Sequence, residues 1–328
     1  MSRFAVAIDL GGTRIRAALV DDKGLLRQRS EAPTAAEAGR DAVLGQLRRF
    51  AASLIAGAAR DQLVGVGICA PGPLDAERGV ALATPTIAGF TDLPLSAMLE
   101  EQTGLPVRLE NDGIAAAVGE WRFGAGVGHR NLVYVTVSTG IGGGVVADGR
   151  VLRARRGMAG HVGHMTIVRD GEICSCGNRG CWEAYASGTA FARRARLRAA
   201  SPAATTLGAN GAAIDGRAVF DAALRGDALA RDLVCEEADL LGVGIANLLH
   251  LYSPDVVVVG GGLSNGFDLL RPGIVARIKT AAMPPFRDIP VARAGLGSDS
   301  GLFGAATLAF EAALPSVSAP PRASIVAF

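Results

Sequence analysis

Residues 4–26 read FAVAIDLGGTRIRAALVDDKGLL, and residues 133–151 read VYVTVSTGIGGGVVADGRV with the same pattern. Each stretch has an apolar run typical of a strand, a glycine turn, a second apolar run and a further turn before a third run. A pattern that recurs within one chain indicates two related domains. We expect them to face each other across a cleft, each with a glycine turn at its edge. Two unrelated hairpins are the simpler alternative.

The rest of the chain has the pattern of an α/β protein. Apolar residues recur at helical spacing within residues 36–60, which predicts an amphipathic helix. Residues 227–251 also predict a long helix, and its second half is apolar nearly all round, as in a buried helix. The β-branched run at 256–259 predicts a parallel strand covered on both faces. The Pro-, Ser- and Ala-rich tail 315–328 is expected to be loosely ordered.

The composition indicates a globular protein and gives no electrostatic reason to bind nucleic acid or a membrane. Lys and Arg number 33 against 31 Asp and Glu, a net charge of +2, and 49% of the residues are hydrophobic. The 328 residues exceed the roughly 250–300 at which a single core stops growing, so two domains are expected. No apolar run reaches the ~18–20 residues of a membrane span, and the N-terminus has no signal-peptide pattern. We therefore expect a cytoplasmic protein.

Three glycine runs are candidates for binding a nucleotide. DLGGTR at residues 9–14 offers bare backbone N–H groups with two further donors, and its strand-end acid is placed to hold Mg²⁺ through water. STGIGGG at 138–144 would supply the facing phosphate turn, and GGG at 260–262 suits the adenosine. The candidate ATP and phosphate residues are Asp9, Gly11, Gly12, Thr13, Arg14, Thr139, Gly140, Gly142, Gly261 and Gly262.

The sequence Glu-Asn-Asp-Gly at 110–113 lies between a predicted strand at 107–109 and a predicted helix at 114–121. Asn and Asp are favoured at helix N-termini, where they contribute about 0.5–2 kcal/mol, and capping explains one of them. Two adjacent polar side chains in a cleft also suit a polyol ligand. A carboxylate there can accept the proton of an attacking hydroxyl, so Asp112 is the candidate catalytic residue, beside Asn111.

Three of the five cysteines, Cys174, Cys176 and Cys181, lie within eight positions and follow His164. One imidazole and three thiolates form a closed tetrahedral set for zinc. Buried thiols alone would not cluster in this way, and a reducing compartment favours a metal over a disulfide. Because the four ligands leave no open position, we expect a structural zinc that also orders the loop carrying His161.

Together these motifs resemble the ROK family, which comprises repressors, open-reading-frame proteins and sugar kinases and belongs to the actin-like ATPase superfamily. The resemblance covers residues 4 to about 313. It implies a two-domain α/β fold, actin-like and ribonuclease H-like, with a cleft between the lobes. The smaller lobe would comprise residues 1–113 and about 303–328, and the larger lobe residues 114–302 with the zinc loop. The motifs are DLGGTR (9–14), GICAPGPLD (67–75), END (110–112), STGIGGG (138–144), GH (163–164), CSCGNRGCWEAYASG (174–188) and VVVGGGLS (257–264).

The resemblance also implies an activity and roles for particular residues. It implies an ATP- and Mg²⁺-dependent kinase for the 6-hydroxyl of a hexose, with Asp112 as general base and zinc as a structural ion. A homodimer is usual for the family, so we expect one. The residues expected to bind the sugar are Gly72, Asn111, Asp112, His161, His164 and Glu183.

Two positions depart from the family pattern. The sugar kinases usually have Glu-x-Gly-His where this chain has His161 before the Gly-His pair, and Lys is common where this chain has Arg14. A carboxylate accepts hydrogen bonds from two sugar hydroxyls at once, whereas a neutral imidazole accepts one and donates one. His161 therefore points to a glucose relative altered at C2 or C3, with kanosamine, the 3-amino sugar, as first candidate. N-acetylated amino sugars are less favoured, and plain glucokinase is the alternative.

Two other classes of protein compete with the kinase. ROK transcriptional regulators carry an N-terminal helix-turn-helix domain, whereas the first phosphate turn here begins already at Asp9. The arginine-rich residues 191–198 are more typical of a solvated helix face than of a DNA contact. An actin-like assembly protein has no need of the sugar motif at Asn111 and Asp112. We therefore expect an enzyme with a small-molecule sugar as its partner.

Overall fold

The computed structural model describes residues 2–84, 86–200 and 205–313, so the predicted loose tail lies outside the described residues. A five-stranded sheet, which we call the first sheet, has the order β3-β2-β1-β4-β8. In it β2 runs antiparallel to both β1 and β3, while β1, β4 and β8 are parallel. Its strands are β1 (Phe4–Leu10), β2 (Arg14–Asp21), β3 (Leu26–Pro33), β4 (Leu63–Ala70) and β8 (Val107–Asn111).

The second sheet has the order β11-β10-β9-β12-β13 and the same arrangement, an antiparallel hairpin followed by parallel strands. This matched topology is the physical basis of the sequence repeat and confirms the two-lobed α/β fold. Its strands are β9 (Leu132–Val137), β10 (Ile141–Ala147), β11 (Arg150–Val151), β12 (Val256–Gly260) and β13 (Val291–Arg293). A third, small sheet contains β5 (Leu74–Asp75), β6 (Val80–Ala83) and β7 (Thr91–Leu93).

The helices cover the sheets, and each sheet has one cluster of buried apolar side chains on either face. The first lobe contains the first sheet with α1, α2 and α9, and the second lobe contains the second sheet with α4 to α8. The helices are α1 (Arg40–Ile55), α2 (Leu95–Thr103), α3 (Asp112–Phe123), α4 (Trp182–Ala186), α5 (Gly188–Ala199), α6 (Gly216–Leu224), α7 (Ala228–Tyr252), α8 (Phe267–Ala281) and α9 (Ser300–Ala312).

Helix α3 lies between the two sheets, with α9 on one side and β10 on the other. The approach to β10 requires glycine, because a Cβ on Gly113 would lie 2.6 Å from the carbonyl oxygen of Gly143. The far end of α3 is also fixed. The Glu120 carboxylate, which is fully buried, accepts hydrogen bonds from Gly295 N at 2.8 Å, Leu296 N at 2.9 Å and Ser300 Oγ at 2.7 Å. The helix that begins at Asp112 is therefore held at both ends.

Two sequence predictions need correction. The helix predicted over 36–60 is shorter, because Gly39, with φ of +83°, separates α1 from a short 3-10 turn before it. Arg193, Arg196 and Arg198 of the stretch 191–198 are exposed as predicted, and only Arg194 departs from the solvated face. Arg194 is 15% exposed at its side chain and pairs with Glu237, which is fully buried on α7. Among the described residues, no helix has the length and apolar character needed to cross a membrane.

Candidate active site

The carboxyl ends of three parallel neighbours, β1, β4 and β8, meet at one edge of the first sheet. The strand register places Asp9 beside Cys69, and Ala70 beside Asn111. Asp112 follows directly as the first residue of α3. Ligands of open α/β sheets bind outside the carboxyl ends of their strands, so this edge, facing the second lobe, is the candidate site.

Asp112 has the electrostatic character of a general base. Its carboxylate accepts a hydrogen bond from Gly113 N at 2.8 Å, which favours the ionised form. Desolvation by the walls of the cleft, together with repulsion from Asp9, nevertheless raises the pKa of Asp112 to about 6. The group is then ionised at neutral pH and still basic enough to accept a proton.

Asn111 is the residue that caps α3. Its side-chain oxygen accepts hydrogen bonds from Gly113 N at 3.0 Å and Ile114 N at 3.4 Å. The amide nitrogen faces the other way, 3.3 Å from the position that a Cβ on Gly72 would occupy. Capping therefore uses the side-chain oxygen of Asn111, and its amide nitrogen remains directed towards the Pro-Gly-Pro loop.

Asp9 is the second acid at this edge. Cys69 Sγ lies 3.3 Å from one carboxylate oxygen, and Arg16 Nη1 lies 3.2 Å from the other. Burial raises the pKa of Asp9, and the positive charge of Arg16 opposes that shift. A carboxylate at a strand end beside a glycine turn is a hard oxygen ligand of the kind that Mg²⁺ prefers.

The first glycine turn is tight and lies against the segment after β6. Gly11 N donates a hydrogen bond to the carbonyl oxygen of Arg14 at 2.9 Å, and Thr13 is exposed at the tip. A Cβ on Gly12 would lie 2.7 Å from the Thr86 side chain, so only glycine fits there. The turn therefore presents bare backbone to the cleft.

The side chain of Arg14 is directed to the neighbouring strand. Its Nη1 lies 3.0 Å from Glu31 Oε1 on β3, and the side chain is half-exposed. The expected phosphate donor is thus paired with a carboxylate in this structure, and a nucleotide would have to compete for it.

The second glycine turn connects β9 to β10 and spans residues 138–140. Ser138 N donates to the carbonyl oxygen of Gly140 at 2.9 Å, and Thr189 Oγ1 donates to the carbonyl oxygen of Thr139 at 2.8 Å. Gly142 lies outside the turn, in β10, where it pairs with Thr136. Of the residues predicted here, Thr139 and Gly140 therefore form the turn itself.

The third glycine run follows β12 and lies against the second turn. Gly261 has φ of +82°, and a Cβ there would lie 2.5 Å from the carbonyl oxygen of Val137. Gly262 begins the 3-10 turn Gly262–Gly266, and a Cβ on it would lie 3.8 Å from Ser138 Oγ. The structure thus brings both predicted glycine sites of the second lobe to one edge.

The predicted metal ligands converge. The ligand atoms of His164, Cys174, Cys176 and Cys181 all lie within 4.8 Å of one another. Cys176 Sγ lies 3.7 Å from Cys181 Sγ, and Cys174 Sγ lies 3.7 Å from His164 Nδ1. Zinc–sulfur bonds of about 2.3 Å at tetrahedral angles place two sulfurs about 3.8 Å apart, so the donors present fit a zinc ion.

Glu183 connects this cluster to the second glycine turn. One carboxylate oxygen accepts a hydrogen bond from Ile141 N at 2.9 Å, and the other accepts from Ser175 Oγ at 3.1 Å. A Cβ on Gly140 would lie 2.4 Å from the carboxylate. Glu183 therefore holds the cluster against the turn.

His161 faces the Pro-Gly-Pro loop from the second lobe. Its Cε1 lies 3.4 Å from the position that a Cβ on Gly72 would occupy, and its ring centroid is 6.2 Å from that of His164. Desolvation and the neighbouring His164 lower the pKa of His161, so its imidazole is neutral at pH 7. Gly72, Asn111 and His161 thus surround one space.

Sequence reasoning missed two residues at the first-sheet edge and two in the loop before His161. Arg16 was predictable, because a tight turn at 11–13 makes it the cross-strand partner of Asp9. Cys69 lies within the motif GICAPGPLD but has no separate sequence signal, although its strand position places it beside Asp9. The loop residues Arg153 and Arg156 have no local sequence signal, since their partners lie far away along the chain.

Known proteins resemble the chain over nearly its whole length. The model of the ROK family matches residues 5–312. A glucokinase of Streptomyces coelicolor is 39% identical over 94% of this chain and 98% of its own length. An N-acetylmannosamine kinase of Citrobacter koseri is 36% identical over 93% and 98%. The crystal structure of a ROK family glucokinase from Streptomyces griseus, in complex with glucose and AMPPNP, has a TM-score of 0.82 at 37% identity, covering 94% of this chain and 99% of that one.

These matches extend over the whole fold described above. The family model spans both sheets, both glycine turns and the cysteine cluster, and the solved glucokinase shares the arrangement of lobes. The motifs that predicted the fold thus occur in the sequence, and the structure has the fold that they predicted. The chain belongs to the ROK family and has its two-lobed, actin-like α/β fold.

Proposed function

We propose that this protein is an ATP-dependent sugar kinase that phosphorylates the 6-hydroxyl of a hexose or amino-hexose. The observation that carries the proposal is the position of Asp112 at the cleft, with a pKa of about 6, beside Asn111. Glycine turns of both lobes border the same cleft, as a nucleotide between lobes requires. The similar glucokinase and N-acetylmannosamine kinase support the class of reaction.

The mechanism is in-line transfer of a phosphoryl group from ATP to the sugar, with ADP as the leaving group. The site assists it by positioning the reactants and by stabilising the phosphate charge. The Asp112 carboxylate accepts the proton of the attacking 6-hydroxyl, while the Asn111 amide and Gly72 backbone orient the sugar. The turns at 11–13 and 138–140 donate backbone N–H groups to the phosphates. Asp9 would hold Mg²⁺, which neutralises phosphate charge when it is bound. Closure of the lobes excludes water and thereby suppresses hydrolysis of ATP.

A zinc ion held by His164, Cys174, Cys176 and Cys181 would be structural in this mechanism. The four donors are all protein ligands, so no coordination position remains for the sugar or for water. His164 uses Nδ1 towards the thiolates, which leaves its other ring nitrogen for the sugar. His164 would thus have its ring fixed by the ion, and Glu183, which accepts from Ser175 Oγ and from Ile141 N, connects the cluster to the turn at Gly140.

His161 favours a substrate altered at C2 or C3 of glucose. At neutral pH the imidazole is uncharged, so it does not repel a protonated amine, and it can accept a hydrogen bond from one. An amino group at C3 supplies this donor, and kanosamine is therefore the favoured substrate. A carboxylate at the same place would instead accept from two neutral hydroxyls.

Plain glucokinase is the second candidate. The similarity to the Streptomyces coelicolor glucokinase favours it, because 39% identity extends over 94% of the chain. In this case His161 replaces the family carboxylate without changing the preferred sugar. The two candidates share the catalytic residues and differ only in the contact to C2 and C3.

The experiment is a coupled assay of ADP release with glucose, mannose, glucosamine, N-acetylglucosamine and kanosamine as acceptors. We expect release that depends on sugar, with the highest kcat/KM for kanosamine and product phosphorylated at O6 by phosphorus NMR. Highest efficiency with glucose selects the second candidate. No sugar-dependent ADP release with any acceptor would contradict the proposed function.

A further inference from the structure

The segment that leads from β11 to His161, residues 152–161, crosses from the second lobe to the first. Ala76 N donates a hydrogen bond to the carbonyl oxygen of Arg156 at 2.9 Å. A Cβ on Gly157 would lie 2.6 Å from Ala76 Cβ, so the two backbones are in close contact. This segment therefore lies directly on the loop that follows the Pro-Gly-Pro motif.

The backbone of the segment is strained. Ala154 has φ of +52° and Arg156 has φ of +59°, in the left-handed region that non-glycine residues rarely occupy. Such residues persist where surrounding contacts fix them, and they cluster at ligand-binding segments. The contacts that fix this one include two ion pairs to buried carboxylates of the first lobe, beside a longer contact of Arg153 Nη2 with Glu311 Oε2 on α9 at 3.9 Å.

Both ion pairs use a carboxylate that is almost completely buried. Arg153 Nε lies 2.9 Å from Glu110 Oε2, and Arg156 Nε lies 3.7 Å from Asp75 Oδ2. Glu110 is 2% exposed and Asp75 is 1% exposed. Asp75 Oδ2 has no hydrogen-bond partner within the described part of the chain, so Arg156 supplies its counter-charge. A buried carboxylate without such a partner is strongly unfavourable.

These pairs connect directly to the two sides of the proposed sugar site. Glu110 precedes Asn111, and its second oxygen accepts a hydrogen bond from Asn111 N at 3.1 Å. Asp75 lies three residues after Gly72, and Arg156 lies five residues before His161. The two arginines thus connect the segment before His161 to residues next to Asn111 and near Gly72.

We propose that Arg153 and Arg156 are positioning residues for the sugar. They hold the segment 152–161 across the cleft so that His161 meets Gly72 and Asn111. The assignment rests on the proposed function, and neither arginine acts on the reacting atoms. Their loss therefore weakens sugar binding, while ATP binding and the transfer step remain nearly unchanged.

The test compares Arg156→Gln and Arg153→Gln with Arg155→Gln, whose exposed side chain forms no ion pair with a described residue. Glucose and kanosamine are the probes. We expect KM for the better sugar to rise at least fivefold in the first two variants, with kcat and KM for ATP within twofold of the parent. Arg155→Gln should match the parent. An equal rise in KM for ATP, or a sugar KM within twofold, would overturn the assignment.

Two further variants separate positioning from misfolding. Arg156→Lys keeps the charge and should recover at least half of the lost sugar affinity. Asp75→Asn combined with Arg156→Gln removes the unpaired buried charge, which restores folding, but it should not restore KM for the sugar. Recovery of sugar affinity in this double variant would show that the effect of Arg156 is only structural.

Calorimetric titration with glucose and with kanosamine, without ATP, measures the same loss independently of the reaction. If the parent binds a sugar but releases no ADP, the proposed function is refuted. The sugar affinities of the variants still decide whether Arg153 and Arg156 are positioning residues. Equal sugar affinity in the parent, Arg153→Gln and Arg156→Gln would contradict it.

Discussion

The strands of the first sheet deliver acids and an amide to the cleft, whereas those of the second sheet deliver glycines and hydroxyls. Asp9 lies next to the end of β1, Asn111 ends β8, and Asp112 follows it. The second sheet instead has the turn at 138–140, the counterpart of the turn at 11–13, and the run at 260–262 at the end of β12, the counterpart of β4. The two sheets nevertheless share one strand order and one pattern of directions.

The difference shows that the strand order determines where a residue lies, whereas the residue type at the strand end determines which chemistry it can support. The acids at the edge of the first sheet suit proton transfer and Mg²⁺, while the bare backbone at the edge of the second sheet, like the turn at 11–13, suits close approach of a nucleotide. Each edge can therefore be damaged separately, and the kinetic constants should report which one was changed.

The largest effect is expected from Asp112→Asn, which keeps the size of the side chain but removes the proton acceptor of the first edge. General-base assistance contributes typically 10²–10⁴-fold, so kcat should fall at least about 100-fold while ATP still binds. Since burial raises the pKa of Asp112, loss of its charge removes a cost to folding at pH 7, and Tm should equal or exceed that of the parent. Turnover within tenfold of the parent would refute the role.

Gly261→Ala tests the second edge. Its backbone has φ of +82°, and the added Cβ would lie 2.5 Å from the Val137 carbonyl oxygen. Such strain costs of order 1–3 kcal/mol, so KM for ATP should rise at least about fivefold, with sugar KM within twofold. Gly149→Ala is the control, since Gly149 also has a positive φ of +72° but no atom near its Cβ position. A rise confined to sugar KM would reverse the assignment of the two edges.

We expect the pH dependence of turnover to report on Asp112, at the edge of the first sheet. Because Asp112 must be ionised to act, and its pKa is raised to about 6, kcat should fall as the pH drops below 6. One group predicts about a tenfold loss per pH unit on that limb. The measurement is a profile from pH 4.5 to 8 at saturating substrates, with circular dichroism as control for folding. A flat profile down to pH 5 would contradict the assignment of the base.

Removal of zinc tests the cluster that supports the sugar side of the cleft. Elemental analysis of protein purified without chelator should find one zinc per chain, and Cys176→Ser should lower that content. We expect the variant to raise sugar KM severalfold and to change KM for ATP by less than twofold, since ligand loss loosens His164 and its loop. Absence of zinc from the parent would contradict the proposal.

Much of the fold was predictable because its signals are local. The glycine turns and the cysteine cluster each lie within a few residues, so their spacing alone predicted strand–turn–strand units and a metal site. The cluster indeed converges within 4.8 Å. Asp112 was recognisable since it lies at a strand-to-helix junction next to a capping residue.

The contacts that hold the lobes together were not predictable, because their partners are distant in sequence. Arg153 meets Glu110 across 43 positions, and Glu120 meets Ser300 across 180. No spacing rule relates such pairs. The interpretation of residues 191–198 holds for the exposed Arg193, Arg196 and Arg198 and missed Arg194 for the same reason, since its partner lies on α7.

The most direct test of the account is His161→Glu, assayed on glucose and kanosamine side by side with the parent. A carboxylate should restore hydrogen bonds from two hydroxyls of glucose, which a neutral imidazole cannot accept at once. The ratio of kcat/KM values should therefore move towards glucose by about tenfold or more, equivalent to ~1.4 kcal/mol. An unchanged ratio would contradict the claim that His161 sets the sugar preference, and glucokinase would then be the better assignment.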